Sequence, residues 1–308
     1  MTDENLLLKY GGGSVSEKEA KLLASYNKFV LKGKKMEGED AAALLYTKYL
    51  LAGVKETQKI KNVVIDEAQD YSLFEFYTLK KVTNTELFTI LGDLSQGIHS
   101  YRSIMNWDEV IENVFNKATY TTLEQSYRTT QEIMEWANTV IQYSQSEGLP
   151  LAKPVVRHGD EPSFYLFDTS KDAALQIQER VSQFKQKGHQ SIAIIGKTHK
   201  ECSIIHKALK KYTGFSSKVL EENEHLEEGI IHVVPSYLSK GLEFDAVVLI
   251  TDKENYNLNN ELDIKLLYVV MTRALHDLDI FLHRTHQTGL LKELLEKKSE
   301  KMGSIEQM

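Results

Sequence analysis

Short apolar runs recur along this chain, and amphipathic stretches separate most of them. The runs are KNVVI at 61–65, LFTIL at 87–91, TYTTL at 119–123, SFYLF at 163–167, SIAII at 191–195, GIIHVV at 229–234, DAVVLIT at 245–251 and LDIFL at 278–282. Apolar residues at helical spacing mark 16–32, 39–52, 72–82, 130–143, 170–187, 199–212, 261–275 and 288–299. Strands that alternate with helices must be linked by crossovers. That pattern predicts an α/β fold of doubly wound, mostly parallel sheets with flanking helices. The 308 residues suffice for two ordinary domains. Residues 1–20, with three consecutive glycines, read as a loop or frayed start. The proline- and glycine-rich stretch 148–162 reads as an irregular connection, and the charged tail after Leu295 as a fraying end.

Composition narrows the function classes. Lys and Arg number 37 against 44 Asp and Glu, a net charge of −7, whereas a dedicated nucleic-acid module is usually basic. The balance argues against tight nonspecific binding by this chain alone, while a local basic groove stays compatible with it. The single cysteine, Cys202, excludes an internal disulfide and a multi-cysteine zinc site. There is no secretory signal and no apolar run of about 18 residues or more, so no membrane span is expected and the cytoplasm is the default location. His283 and His286, close in sequence, read as solvated side chains rather than metal ligands.

The segment 63–72, VVIDEAQDYS, carries the most chemistry. Three apolar residues predict a buried strand, and α/β sheets bind ligands beyond the carboxyl ends of their strands. Asp66 there can hold Mg²⁺, directly or through water, and Glu67 can orient or deprotonate a water. Those are the parts of phosphoryl transfer. A second strand ends in Gly92-Asp93 with Gln96 following, in FTILGDLSQGIHSYR at 88–102. Gln96 can bond a γ-phosphate oxygen or the attacking water, although LGDLSQG by itself reads equally as a turn rich in Gly, Asp and Ser. Further on stand LEQSYRTT at 123–130, PSYLSKGLEFD at 235–245 and LLYVVMTRA at 266–274. In the last, helical spacing puts Tyr268 and Thr272 on one face, with Arg273 at the helix end.

These five blocks, in this order, resemble the motifs of the UvrD/Rep-like superfamily 1 DNA helicases over roughly residues 39–285. The resemblance implies two RecA-like lobes: 1–122 as the C-terminal part of the first lobe (1A) and 123–308 as the second (2A). ATP with Mg²⁺ would bind between lobes. It implies that Asp66 is the metal carboxylate, that Glu67 acts on water, that Gln96 senses the γ-phosphate, and that Arg128 and Arg273 are γ-phosphate arginines. Tyr127 would stack on adenine, Glu243 would bond the ribose, and Lys240 with Gly241 would hold the loop near phosphate. Tyr101 would stack on a base of single-stranded DNA beside Arg102. Tyr237 stands on the nucleic-acid side, where the usual pattern has histidine.

Three departures qualify the resemblance. The phosphate loop GxxxxGK followed by Ser or Thr is missing. Gly196-Lys197-Thr198 is only a decoy, because Ser191 occupies the first glycine position and 192–195 is strand. An N-terminal half is therefore expected to supply the loop, and this chain alone to be inactive. The large 2B insertion has no room between the Tyr-Arg and KGLEFD motifs. Tyr237, together with DEAQDYS and GIHSYR, brings the chain closest to the HelD-like branch, whose members bind RNA polymerase. The readings carried forward are a 3′→5′ ATP-dependent DNA translocase or helicase, a HelD-like polymerase recycling factor, and an inactive partner-binding fragment.

Overall fold

The computed structural model of the chain describes residues 2–11, 13–33, 35–53, 60–98, 104–145, 149–155, 157–252, 255–285 and 288–305. Packing divides the chain into two compact units. Residues 1–66, 71–91 and 112–114 form the smaller, and 67–70, 92–111 and 115–308 the larger. Residues 67–70, 92–111 and 115–122 go with the larger unit, where Gln69, Leu94 and Ser95 are buried and Asp93 N–H donates to Gln69.

The smaller unit runs α1 (Glu4–Tyr10), α2 (Glu17–Lys32), α3 (Asp40–Ala52), β1 (Val63–Ile65), α4 (Leu73–Thr83) and β2 (Phe88–Ile90). Capping boxes start two of these helices: Ser16 with Glu19 at α2, and Ser72 with Glu75 at α4. Each satisfies two otherwise orphaned backbone donors. Helix α1 was expected as loop. Asp3 starts it by accepting from the N–H groups of Asn5 and Leu6, although the helix buries nothing. Tyr46 of α3 meets Phe74 and Tyr77 of α4 edge-on, at 5.8 and 5.7 Å between centroids. β1 and β2 pair in parallel, Val63 opposite Phe88 and Ile65 opposite Ile90.

The larger unit contains most of α5 (Trp107–Asn113, of which 107–111 belong to it), β3 (Gln125–Ser126), α6 (Gln131–Ile141), β4 (Lys153–Pro154), β5 (Ser163–Phe167), α7 (Ser170–Gln186), β6 (Ile192–Gly196), α8 (His199–Tyr212), β7 (Ser217–Val219), β8 (Ile231–Pro235), β9 (Phe244–Thr251), α9 (Glu261–Met271), β10 (Ala274–His283) and α10 (Leu290–Ile305). Six strands form one sheet in the order β5-β10-β9-β6-β8-β7, and every pair is parallel. The central strands β6 and β9 are largely apolar on both faces because both faces are covered. On β6, Ile192 and Ile194 face a core shared with Ala173, Ile177 and Phe184 of α7 and Ile205 and Leu209 of α8. Ala193 and Ile195 face the opposite core, shared with Ile133 and Ala137 of α6, Leu267 and Val270 of α9, and Leu291 of α10. Ile194 and Ile195 are fully buried, and each such side chain contributes roughly 1.5–3 kcal/mol of transfer free energy. The doubly wound parallel sheet expected from the alternation is therefore present.

The differences are local. TYTTL at 119–123 is not a strand: Tyr120 and Leu123 are exposed, and the short strand pair here is Gln125–Ser126 with Lys153–Pro154. Helix α5 and strand β7 had no clear periodic signal. The tail past Leu295 continues as helix to Ile305 instead of fraying early.

Candidate functional site

The acidic segment begins where β1 ends. Asp66 follows Ile65 at the carboxyl end of that strand and is exposed. Glu67, the first residue of its segment in the larger unit, has φ +51°. Among the described residues only Asn84 and Asn223 share a positive φ without being glycine, and asparagine tolerates that region far better than glutamate. Local strain therefore sits on the carboxylate that the resemblance places at the reacting water. Ala68–Asp70 turns as a short 3₁₀ segment, and Asp70 N–H donates to Glu67 C=O at 3.1 Å.

Three side chains organise this segment. Gln69, 1% exposed, donates from Nε2 to Glu67 Oε2 at 2.6 Å and accepts the Asp93 backbone N–H on Oε1 at 3.0 Å. Lys240 Nζ lies 2.6 Å from Asp70 Oδ2 and 3.4 Å from Glu67 Oε2. Asp70 Oδ1 is buried and has no hydrogen-bond partner among the described residues. Lys240, which the resemblance set near phosphate, thus pairs with two of the three carboxylates of the acidic segment, Glu67 and Asp70.

Asp93 and Gln96 belong to the same network. Asp93 caps the 3₁₀ turn Leu94–Gln96, its Oδ1 accepting from Ser95 N–H at 2.9 Å. Its Oδ2 accepts from Gln96 Nε2 at 2.8 Å. Gln96 Oε1 in turn accepts from Arg273 Nη2 at 3.0 Å. Arg273 follows α9 and directly precedes β10, and it is 1% exposed. It also donates to the carbonyls of Val269 and Leu242, at 3.0 and 3.2 Å, and to Thr272 Oγ1 at 3.2 Å. All of these partners are neutral. Burial, and then the neighbouring Arg128 charge, push the Arg273 pKa down to about 10, against the pull of Glu243 and Glu67. A buried cation bonded, among the described residues, only to neutral groups, with a second cation beside it, is a place where an anion gains free energy.

Arg128 Nε pairs with Glu243 Oε1 at 2.7 Å, both side chains being partly exposed. Glu243 stands at the amino end of β9, as Arg273 does for β10; Phe244 N–H donates to Arg273 C=O at 3.0 Å and joins the two. Gly241, in the loop that precedes β9, has φ +78°, a conformation that glycine adopts without strain. Tyr127 is 70% exposed and donates to Gln125 Oε1 at 3.2 Å, so its ring is open to stacking. Tyr237 is also partly exposed, on the 3₁₀ turn after β8. Glu67, Gln96, Arg128, Lys240, Gly241, Glu243 and Arg273 all belong to the larger unit. Tyr101 and Arg102 lie outside the described residues. Gln69, Asp70 and Asp93 were quoted in the motifs but given no role by the sequence reading. The bonds that join these segments, Asp93 N–H to Gln69 and Lys240 to Asp70, span 24 and 170 residues, so local sequence held no signal for them beyond membership of DEAQD and GDLSQ.

Gly196-Lys197-Thr198 does not form a phosphate loop. Gly196 is the last residue of β6, Thr198 caps α8 by accepting from Glu201 N–H, and Lys197 Nζ bonds Asp263 Oδ2 at 2.9 Å and the Asn255 carbonyl. Among the described residues no three His, Cys, Asp or Glu side chains gather to hold a metal. A carboxylate at a strand end, such as Asp66, fits Mg²⁺ that arrives with a nucleotide, since that ion retains water and phosphate oxygens. No helix among the described residues is long and apolar enough to cross a membrane.

The chain is similar to known proteins over this same region. Two family profiles, each described as a UvrD-like helicase C-terminal domain, match residues 121–238 and 231–280. ATP-dependent DNA helicase PcrA of Bacillus subtilis is 22% identical over 252 residues, covering 77% of this chain and 33% of the relative. ATP-dependent DNA helicase srs2 of Schizosaccharomyces pombe is 28% identical over 130 residues, covering 41% of this chain and 14% of the relative. The chain thus spans a third or less of the length of these relatives. The C-terminal domain of a possible DNA helicase from Lactobacillus plantarum WCFS1 has a TM-score of 0.42 and 29% identity, over 51% of this chain and 88% of that one.

Proposed function

From the premise that this chain carries the C-terminal domain of the UvrD-like helicases, we propose that it is the C-terminal motor portion of an ATP-dependent superfamily 1 DNA helicase or translocase. The observation that carries the reading is the buried Arg273, hydrogen-bonded to Gln96 and to backbone carbonyls and, among the described residues, to no carboxylate. In hydrolysis, Glu67 orients a water and takes its proton as the oxygen attacks the γ-phosphorus of ATP. Gln96 bonds the γ-phosphate, Arg128 and Arg273 stabilise charge on the transferring group, and ADP leaves. Tyr127 stacks on the adenine and Glu243 bonds the ribose, once Arg128 turns from Glu243 to phosphate. Asp66 holds Mg²⁺, which supplies charge neutralisation at the phosphates. Lys240 and Gly241 shape the loop beside the acidic segment. A phosphate loop supplied from outside residues 1–308 completes the site. Single-stranded DNA is the partner, met by Tyr101, Arg102 and Tyr237.

Tyr237 in place of histidine and the net charge of −7 favour a second reading, a HelD-like factor that uses ATP to release RNA polymerase from nucleic acid. ATP turnover by the protein together with its phosphate-loop segment, with and without single-stranded DNA, separates the two. Strong stimulation by DNA supports the DNA motor. Turnover indifferent to DNA, with polymerase retained in a pull-down, supports the second reading. No turnover under either condition rules out both.

A further inference from the structure

We propose that Gln69 is the positioning residue of this site: it orients Glu67 and ties it through Asp93 and Gln96 to Arg273. The inference deepens the reading above and rests on it. Gln69 is buried and both ends of its amide are used. The orientation of that amide is fixed by its partners. A backbone N–H can only donate, so Oε1 must face Asp93; a carboxylate must accept, so Nε2 must face Glu67. Only a carboxamide of this length meets both demands. Glutamate would set a second carboxylate against Glu67, leucine would leave the Asp93 N–H unpaired, and asparagine would fall short by a methylene.

The surroundings are shaped around this amide. A Cβ at Gly92 would lie 2.7 Å from Gln69 Oε1 and 2.9 Å from the Trp107 ring, so the absence of a side chain there makes the room. Glu67, its backbone held at φ +51°, has its carboxylate fixed by the 2.6 Å bond from Gln69, with Lys240 Nζ at 3.4 Å beside the same oxygen. From Glu67 the hydrogen bonds continue without a gap: Gln69 to Glu67, Asp93 N–H to Gln69, Gln96 to Asp93, Arg273 to Gln96. The group that acts on water and the group that stabilises the leaving charge are therefore positioned by one chain of bonds. Gln69 acts through Glu67 and touches no substrate.

The test compares Gln69→Leu and Gln69→Glu with wild type in two measurements. In ATP turnover by the protein with its phosphate-loop segment, both variants should lose about 10-fold or more in kcat while KM for ATP stays within about 3-fold. Gln69→Glu should also move the acidic limb of the pH–rate profile upward, because two adjacent carboxylates cannot both ionise easily. In the 308-residue chain alone, the Arg273 Nε–H resonance should move in Gln69→Leu and stay in place in Gln176→Leu, whose amide bonds Asp172 and the Leu166 carbonyl instead. An Arg273 signal unmoved by Gln69→Leu overturns the inference whether or not the protein hydrolyses ATP. Variants that match wild-type kcat, or lose activity only in proportion to lost folded protein, overturn it too. Absent wild-type turnover refutes the proposed function, while the resonance still judges the coupling.

Discussion

Lys240 Nζ stands 2.6 Å from Asp70 Oδ2, although 170 residues of sequence separate them. The pair joins the KGLEFD segment to the DEAQD segment inside the larger unit. Lys240 is the more deeply buried partner, and Asp70 keeps one oxygen buried without a hydrogen bond among the described residues. Lys240→Met leaves that carboxylate uncompensated and should cost about 1–3 kcal/mol in urea unfolding. Adding Asp70→Asn should recover part of the loss. A double-mutant cycle with no coupling energy would mean that the pair contributes nothing.

The two arginines should separate stability from turnover. Arg273 fills a buried position and serves two backbone carbonyls, so Arg273→Ala leaves polar groups unsatisfied at about 1–3 kcal/mol. Arg128 is part-exposed and pairs with an exposed Glu243, a contact worth about 0–1 kcal/mol. Both substitutions should lower kcat of the complete enzyme by about 10³-fold or more, as removal of γ-phosphate arginines does. Equal thermal shifts for the two variants would contradict the burial argument; near-normal turnover in both would contradict their roles.

The sheet was legible in the sequence because its central strands are buried on both faces. SIAII and DAVVLIT are continuous apolar runs between helical stretches, and they became β6 and β9. TYTTL misled because β-branched and aromatic residues fit an exposed extended segment as well as a strand, and only a pairing partner distinguishes them. Helix α1 rests on a single cap, Asp3, within a polar stretch whose glycines read more strongly. The motif residues were legible by order and spacing. What each one bonds was not: the Arg128–Glu243 and Lys240–Asp70 pairs are set by the tertiary fold, and nothing local to either residue encodes them.

Gly92→Ala tests the space around Gln69. The added methyl would approach both the Gln69 carboxamide and the Trp107 ring to under 3 Å. Overpacking of this kind costs about 1–3 kcal/mol. Chemical denaturation reads the loss directly. A variant as stable as wild type, with unchanged Asp93 amide exchange, would show that the loop yields freely.

Acid should weaken the larger unit before it reaches the carboxylate range. His206, His232 and His276 are all held below the usual imidazole pKa. Burial is the first cause at each, aided by Lys210 and Lys207 at His206, by Lys218 at His232 and by Arg157 and His189 at His276. The unfolded chain then takes up protons below about pH 6.5 that the folded chain refuses. Stability is therefore full above that pH and falls as pH drops through it toward the folded-state values. Asp279, raised first by burial, opposes this only nearer the carboxylate range. His232 Nε2 accepts the Glu227 N–H at 3.1 Å, a bond its protonation would remove. Thermal melts at pH 7.5 and 5.5 should differ, and His232→Gln, which retains an acceptor, should narrow the difference. A melting temperature flat over that interval would refute the sign.

Lys197 decides what the GKT sequence does. A phosphate-loop lysine touches nucleotide, and its loss abolishes hydrolysis while leaving the fold largely intact. Here Lys197 is largely buried against Asp263, which also accepts the Asn257 N–H at 2.8 Å. Its backbone is bound as well: Lys197 N–H donates to Glu201, and Ser236 Oγ donates to the Lys197 carbonyl. Lys197→Met should therefore act on stability, at about 2–4 kcal/mol, because Asp263 remains behind as a buried charge. Lys197→Met together with Asp263→Asn should regain part of that. Residues 1–308 alone should turn over no ATP in either form. Appreciable hydrolysis by this chain, lost on Lys197→Met without a change in melting temperature, would restore the segment as a phosphate loop and displace the structural role assigned to it.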